Sequence, residues 1–376
     1  MTPLATTLEG PAVRRRARTP GHSFDGPVPL SWDGMVAAAG GDIVQSSAWA
    51  DAKRPLGFEA HQMTVRDAED SVLGCALLIL RRFGPLGAVG YIARGPLLVP
   101  GAEAQWDHML GEIERAARRL TVRHLIVQPP AGGRAMTEAL AMRGYTADAP
   151  EVSPSATLLI DLTQESDAIL GAMSSSARRS IRQAQRRGVW LRHGDASDIE
   201  TFQRLHAATA ARRGFAPMTM DYLRHHWEAL RPSGAVELIF ACHEGTPFAA
   251  VWLTAFAGTV TARLSGWTGE WPHLHGGAAC EWESIRWAKG SGHRHYDVGG
   301  VDNGFARLML AGTPVPETMQ RSPSAYKAAF GGRPVLFPRA WQRTLSPLAR
   351  PVVRILMAGL GRSDRLRACV ERFRKG

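Results

Sequence analysis

The feature that most restricts the fold of this chain is an alternation, run through twice, of short apolar strand-like runs with helices that are apolar on one face. In the first run, residues 72–80 and 88–92 read as strands, 103–120 as a helix, 124–127 as a strand, and 135–142 as a helix stopped by Gly144. The long helix rests on spacing: Trp106, Met109, Leu110, Ile113 and Ala117 share one face. A short helix over 48–53, closed by Arg54-Pro55, comes before it. In the second run, the strand 156–162 leads to a helix capped by Ser174-Ser175-Ser176 and ended by Gly188. Helices 198–213 and 221–230 follow, then strands 236–243, 248–257 and 260–264 joined by turns at Glu244-Gly245 and Ala257-Gly258, which suggest a meander. A helix over 278–289 feeds a last strand that ends in Tyr296-Asp297-Val298-Gly299-Gly300. Such alternation specifies an α/β (α+β) fold in two units, each a mixed sheet flanked by helices. No sequence repeat of fixed period accompanies it, so any duplication is structural.

Composition narrows the class. Of 376 residues, 45% are hydrophobic and 21% charged, the balance of a globular protein, which excludes a disordered chain, a coiled coil and a multi-span membrane protein. Lys plus Arg outnumber Asp plus Glu by 45 to 34, and the only lysines are Lys53, Lys289, Lys327 and Lys375. That arginine surplus favours a polyanionic partner: nucleic acid, a nucleotide-linked substrate or an anionic membrane surface. Residues 1–30 read as a basic tail, and 339–376 as a basic, weakly amphipathic helical segment that can pack on the first unit. Cys75, Cys242, Cys280 and Cys369 are scattered, so neither a disulfide framework nor a zinc site is expected and a cytoplasmic setting is the default. The arginines at 14–16 lack the apolar run of a signal peptide.

Several patterns bear on chemistry. Arg178, Arg182 and Arg186 recur at every fourth residue of one helix, flanked by Arg179 and Arg187 and without acidic partners four residues away. Each guanidinium offers a fork of donors suited to phosphate, although a solvated helix face has the same look. His273-x-His275 and His293-x-His295 lack completing ligands, so no metal is expected. No Walker loop, dinucleotide fingerprint or nucleophile elbow occurs. Asp297, at a strand end beside glycines, suits either of two tasks: orienting a reacting amine or capping the Gly turn.

Six segments, in order, carry a resemblance: Gln45-Ser46-Ser47-Ala48-Trp49-Ala50 through Lys53; Tyr91-Ile92-Ala93-Arg94-Gly95-Pro96; Ala177-Arg178-Arg179-Ser180-Ile181-Arg182-Gln183-Ala184 with Gly188; Arg212-Arg213-Gly214-Phe215; the helix from Glu281 with Asp297-Val298-Gly299-Gly300; and Tyr326-Lys327-Ala328-Ala329-Phe330-Gly331-Gly332. Together they resemble the FemAB/FemX nonribosomal peptidyltransferases from about residue 45 to 337. The resemblance implies two tandem GNAT-like domains, over 31–155 and 156–338, in the compact form without a helical arm. It implies transfer of an aminoacyl group from aminoacyl-tRNA, a co-substrate rather than a cofactor, to the amine of a peptide or of a nucleotide- or lipid-linked acceptor. In that setting Lys53 and Arg213 would bind acceptor phosphates, Tyr326 and Arg94 would line the substrate site, and Arg178, Arg179, Arg182 and Arg186 would meet tRNA. Lys327 would steady the tRNA 3′ end and the charge at the reacting carbonyl, with Asp297 beside it. A monomer is expected, with peripheral contact to an anionic membrane through the basic tails. One departure stands out: Gln128-Pro129 replaces the family's Asp-Pro, so a carboxylate considered as a base is missing.

Two other readings compete. An acyl-CoA-dependent GNAT N-acyltransferase would want an Arg/Gln-x-x-Gly-x-Gly/Ala loop at a helix start. The nearest approach in the sequence, Gln185-Arg186-Arg187-Gly188-Val189-Trp190, ends a helix and closes on Trp. A non-enzymatic tRNA- or membrane-binding protein on a degenerate transferase fold is the third reading, and the joint presence of Lys53, Arg213 and Lys327 argues against it.

Overall fold

The computed structural model describes residues 31–346. Among these, the residues up to Ser153 and from Phe337 onward form one compact unit, and Pro154–Leu336 form a second.

The first unit begins with α1 (Trp32–Ala38) and α2 (Ser47–Lys53), the latter capped by Ser46, whose hydroxyl accepts from Trp49 N. Strands β1 (Glu59–Arg66), β2 (Val72–Arg82), β3 (Ala88–Ala93) and β4 (Leu97–Leu98) follow, then α3 (Trp106–Arg119), β5 (Val122–Gln128) and α4 (Arg134–Met142). The sheet order is β1-β2-β3-β5, with β4 on β2; only β3 and β5 run parallel, with α3 in the connection. Leu77, Leu78, Ile79 and Leu80 of β2 are all buried, so both faces of the strand are covered and the run reads as continuously apolar. Each such side chain contributes about 1.5–3 kcal/mol by leaving water. The apolar face of α3, with Met109, Leu110, Ile113 and Ala117, closes the same core as the spacing predicts.

The second unit opens with β6 (Ala156–Asp161), α5 (Ser166–Ala172), α6 (Ser175–Arg186), β7 (Trp190–His193), α7 (Ile199–Arg213) and α8 (Met220–Leu230). Next come β8 (Val236–His243), β9 (Thr246–Phe256), β10 (Thr259–Trp267), α9 (Gly276–Gly290) and β11 (His295–Asp297). The unit ends with α10 (Asn303–Leu310), α11 (Glu317–Gln320), α12 (Pro323–Ala328) and β12 (Arg333–Leu336). Its sheet order is β12-β6-β11-β10-β9-β8-β7, antiparallel except for β10 with β11. The meander is real: Glu244-Gly245 and Ala257-Gly258 are both left-handed in φ, the signature of two-residue hairpin turns that match strand twist. From α6 the chain passes Gly188 straight into β7, with no helical arm.

One expectation is overturned. The segment from 339, read as helical, supplies β13 (Trp341–Thr344), which pairs antiparallel with β5 at the edge of the first sheet. Strand pairing over Val127 to His124 outweighs a weak helical pattern in so short a stretch. The rest of that basic segment, and the basic tail at 1–30, lie outside the described residues. No helix among the described residues is long and apolar enough to cross a membrane.

Candidate active site

The parallel pair in the second unit is short and then parts. β10 and β11 share three positions, Thr259 to Thr261 against His295 to Asp297. Beyond them β10 has a register shift between Ala262 and Leu264, and β11 ends. Gly299 lies just past that end with φ +79, and a Cβ there would stand 2.4 Å from the Ala262 carbonyl oxygen. Only glycine fits both the backbone angle and the approach. Gly300 is confined in turn, since a Cβ would lie 2.6 Å from Pro154. Asp297 holds this exit together: its Oδ1 accepts from Gly299 N at 2.7 Å and from the Thr157 hydroxyl. The turn-capping reading of Asp297 is therefore the one its Oδ1 contacts describe.

The α12 helix brings Lys327 to the same place. Ser322 caps it, Pro323 starts it, and the buried Ser324 hydroxyl accepts from Asp302 N at 2.8 Å, tying the helix to the chain just beyond Gly300. Lys327 Nζ donates to the Gly300 carbonyl at 2.8 Å. Burial holds this ammonium below the ordinary lysine range, opposed first by Glu281 and then by Asp297. The result is a desolvated cation, seated on a backbone carbonyl beside a glycine turn, that can donate to a developing negative charge.

Glu281 belongs to the same site, although the sequence marks it only as part of a helix. It sits on the buried face of α9, in line with Ala278, Ile285 and Ala288. A glutamate in an apolar stripe of that spacing is the one signal that points to it. Burial pushes its carboxyl up to about 7 against the pull of Lys327. The neighbouring Tyr296 hydroxyl on β11 is raised well above the ordinary range, chiefly by burial and then by Glu281. Tyr326 stands with them: its hydroxyl would touch a Cβ at Gly277 at 3.0 Å, and its ring meets Phe330 edge-on. The residue is 49% exposed, yet loss of water around its phenol raises it, as do Glu281 and Cys280, while Arg213 opposes them. Arg213 is an exposed residue at the end of α7. There Gly214 makes the left-handed cap, and Arg212 is spent on the Thr268 carbonyl at 2.5 Å and the Trp267 ring. The structure thus gathers Lys327, Asp297 and Tyr326 of the expected set, places Arg213 within electrostatic reach of Tyr326, and adds Glu281 and Tyr296.

The arginine stripe on α6 divides. Arg178 donates to the carbonyls of Gly171 and Met173, closing the end of α5, so it is not a free phosphate hook. Arg179, Arg182 and Arg186 are exposed, and among the described residues none has an acidic partner. Arg187 donates to the His273 carbonyl, and His275 lies 2.8 Å from Gln183, so this helix is fastened to the loop that opens α9.

A glycine-opened helix start does occur, in that loop. Gly188 follows the end of α6, whereas α9, in the connection between the parallel strands β10 and β11, begins His275-Gly276-Gly277-Ala278 with no side-chain cap. Gly276 admits no Cβ, because Phe248 stands 2.4 Å away. Gly188 closes a helix, as its place in the sequence indicates, and topology alone shows which helix start lies between the parallel strands. Among the described residues no group of three His, Cys, Asp or Glu could hold a metal ion.

The remaining expected residues belong to the first unit. Lys53 is fully buried, its ammonium 4.5 Å over the Trp49 ring. Arg94 is buried in the Arg-Gly-Pro turn with φ +53 and lies over the Phe337 ring. Gln45 braces that turn, donating to Ala93 O at 2.6 Å and accepting from Leu77 N at 2.7 Å. Gln128 is structural: its amide donates to Ser153 O at 2.9 Å, and its oxygen accepts from Val152 N and Ser153 N. Every hydrogen bond it makes there holds the 152–153 backbone, so it offers no base.

Residues 172–307 match the acetyltransferase (GNAT) domain family, a stretch inside the second unit that includes β10, α9 and β11. Over 210 residues the chain is 24% identical to a lipid II:glycine glycyltransferase of Staphylococcus aureus, covering 53% of this chain and 49% of that protein. The chain therefore spans about half the length of that relative. Its fold is similar to FemX, with a TM-score of 0.73 at 17% identity over 86% of this chain and 97% of that one. A DUF2156 domain from Agrobacterium fabrum is similar at a TM-score of 0.51 and 14% identity, over 85% and 94% of the two chains.

Proposed function

We propose that this FemAB/FemX-like chain, with its GNAT-type second unit, is an aminoacyltransferase that moves an amino acid from aminoacyl-tRNA to the amine of a peptide acceptor. A lipid-linked precursor is the acceptor class that the named glycyltransferase relative suggests, and a nucleotide-linked cell-wall precursor is a variant of it. A peptide natural product is the other acceptor. The observation that carries the reading is Lys327, a half-buried ammonium held on the Gly300 carbonyl where β11 leaves the sheet.

The chemistry asks little beyond positioning. A neutral amine attacks the ester carbonyl, a C–N bond forms, the carbonyl oxygen takes up negative charge, and the tetrahedral intermediate collapses with loss of the ribose hydroxyl. The amine proton passes to the departing oxygen by way of the neighbouring 2′-hydroxyl, since Gln128 supplies no base. Aligned reactants account for as much as about 7–11 kcal/mol of barrier lowering. One well-aimed donor to the oxyanion adds about 3 kcal/mol. The Lys327 ammonium is that donor, and the exposed cation of Arg213 beside Tyr326 is suited to an anionic group on a substrate.

Arg179, Arg182 and Arg186 form the face offered to tRNA. Reversing charge at Arg182 and Arg186 is expected to weaken tRNA binding and flatten its salt dependence by about 0.7–0.9 in logarithmic slope for each phosphate left without its cation. Filter binding across a salt series checks this, and an unchanged slope returns the face to plain solvation.

A second reading has one observation in its favour. The uncapped Gly276-Gly277 opening of α9 is the kind of helix start that takes a pyrophosphate, so acyl-CoA is the competing donor. The deciding experiment offers the protein bulk tRNA charged with labelled amino acids, beside labelled acetyl-CoA, with extract as acceptor and an RNase control. RNase-sensitive label in a small product supports the tRNA reading; label moving only from acetyl-CoA replaces it.

A further inference from the structure

We propose that Glu281 is a positioning residue for Lys327: its carboxylate, buried on α9, keeps the Lys327 ammonium charged against the Gly300 carbonyl. The purpose of that pairing rests on the transfer reaction proposed above, whereas the placement of the two residues rests on packing: the hydroxyl of Tyr326, next to Lys327 on α12, stands 3.0 Å from where a Cβ on Gly277 would lie, one turn before Glu281 on α9.

Glu281 occupies a place where an apolar residue would pack better. Ala278, Ile285 and Ala288 on the same face belong to the core of the second unit. Its Oε1 and the Tyr296 hydroxyl have no hydrogen-bond partner of normal length among the described residues, and they act on each other at longer range. A carboxyl retained there without a bond to its Oε1 serves something nearby, and the nearby charge is Lys327. Two acids act on that lysine, Glu281 more strongly than Asp297. Asp297 also has a backbone task, since its Oδ1 holds Gly299 N and the Thr157 hydroxyl.

The other titratable groups do not substitute for Glu281. Tyr296 on β11 is a phenol held neutral by burial, as is the Cys280 thiol on α9, and Tyr326 on α12, although half exposed, has its phenol raised as well. Arg213, at the end of α7, acts on Tyr326. The Glu281 carboxyl titrates near about 7, so above that pH it is an anion and supports the lysine cation, and below it the support fades.

The chain has only four lysines, so the pairing can be read directly by NMR of the full-length protein labelled with 13C at lysine Cε. Loss of one signal in Lys327→Arg assigns it. In Glu281→Gln the Lys327 titration midpoint is expected to fall by about one pH unit or more, and Glu281→Asp is expected to recover part of the shift. Midpoints within about 0.3 units of wild type in both variants overturn the proposal. If Glu281→Gln fails to fold, Glu281→Asp is compared with wild type alone; a lowered midpoint supports the proposal and an unmoved one overturns it. The alkaline limb of kcat is expected to move in the same direction as the midpoint. A shifted midpoint in a protein that transfers no aminoacyl group supports the pairing while removing the reaction proposed for it.

Discussion

Lys327→Ala is expected to lower kcat for aminoacyl transfer by about 10²–10³-fold while leaving tRNA affinity within about twofold. The asymmetry follows from where the ammonium sits. It is half-buried and already bonded to Gly300, so under the proposed reading it would add little attraction for a long polyanion, whose phosphates would meet the exposed arginines of α6 instead. Its contribution is expected when the ester oxygen acquires charge beside a cation already fixed in place, which needs no reorganisation at the moment of reaction. The variant is also expected to remain folded, because removing a desolvated cation relieves a burial cost, although Glu281 then loses its counter-charge. Lys327→Met is the useful companion, since it preserves volume. Single-turnover kinetics with charged tRNA, set beside filter binding of the same tRNA, separate the two effects. Equal losses in rate and in binding would sink the oxyanion role and make Lys327 a tRNA anchor.

The sequence carries most of this site in chemical type but little of its arrangement. The Gly299-Gly300 pair and the lone Lys327 are visible as a double-glycine exit and an isolated lysine, because constraints on backbone and charge leave local marks. What those marks cannot show is that residues 300 and 327 meet, since the contact is made by α10, α11 and α12 folding back over the strand end. Arg178 illustrates the opposite failure. Its spacing in the stripe is correct, yet its guanidinium closes the neighbouring helix, and a four-residue period says nothing about a carbonyl seven residues back. Glu281 is hidden by the apolar residues around it, which make the helix look purely structural. Of the fold, the long strands and helices are legible from period and turn chemistry. The edge strands β1, β7, β12 and β13 are not, because their residues are only partly buried and alternate weakly.

Glu114→Ala is expected to destabilise the first unit by about 3 kcal/mol, through a contact that no local pattern announces. Glu114 lies on α3 with its side chain only 3% exposed, and three arginines converge on it: Arg343 at 2.7 Å, Arg143 at 3.1 Å and Arg118 at 3.7 Å. Arg343 belongs to β13 and stands 229 positions away in sequence, so the carboxylate fastens the returning strand to a helix laid down near the start of the chain. Removing it strands Arg343, whose side chain is 30% exposed, while Arg143, 22% exposed, falls back on its pair with Asp107 at 2.5 Å. That partial exposure is why the expected cost stays at the lower end for a broken buried pair. Glu114→Gln keeps the shape and some hydrogen bonding, and is expected to cost about half as much. A double-mutant cycle with Arg343→Met, read from thermal or urea unfolding, isolates the strand-fastening share. Full additivity would mean that β13 is held by its pairing with β5 alone. Because Lys327 and its neighbours belong to the other unit, kcat per folded molecule of Glu114→Ala is expected to match wild type at low temperature. A loss of stability with turnover intact is the reverse of the pattern expected for Lys327→Ala.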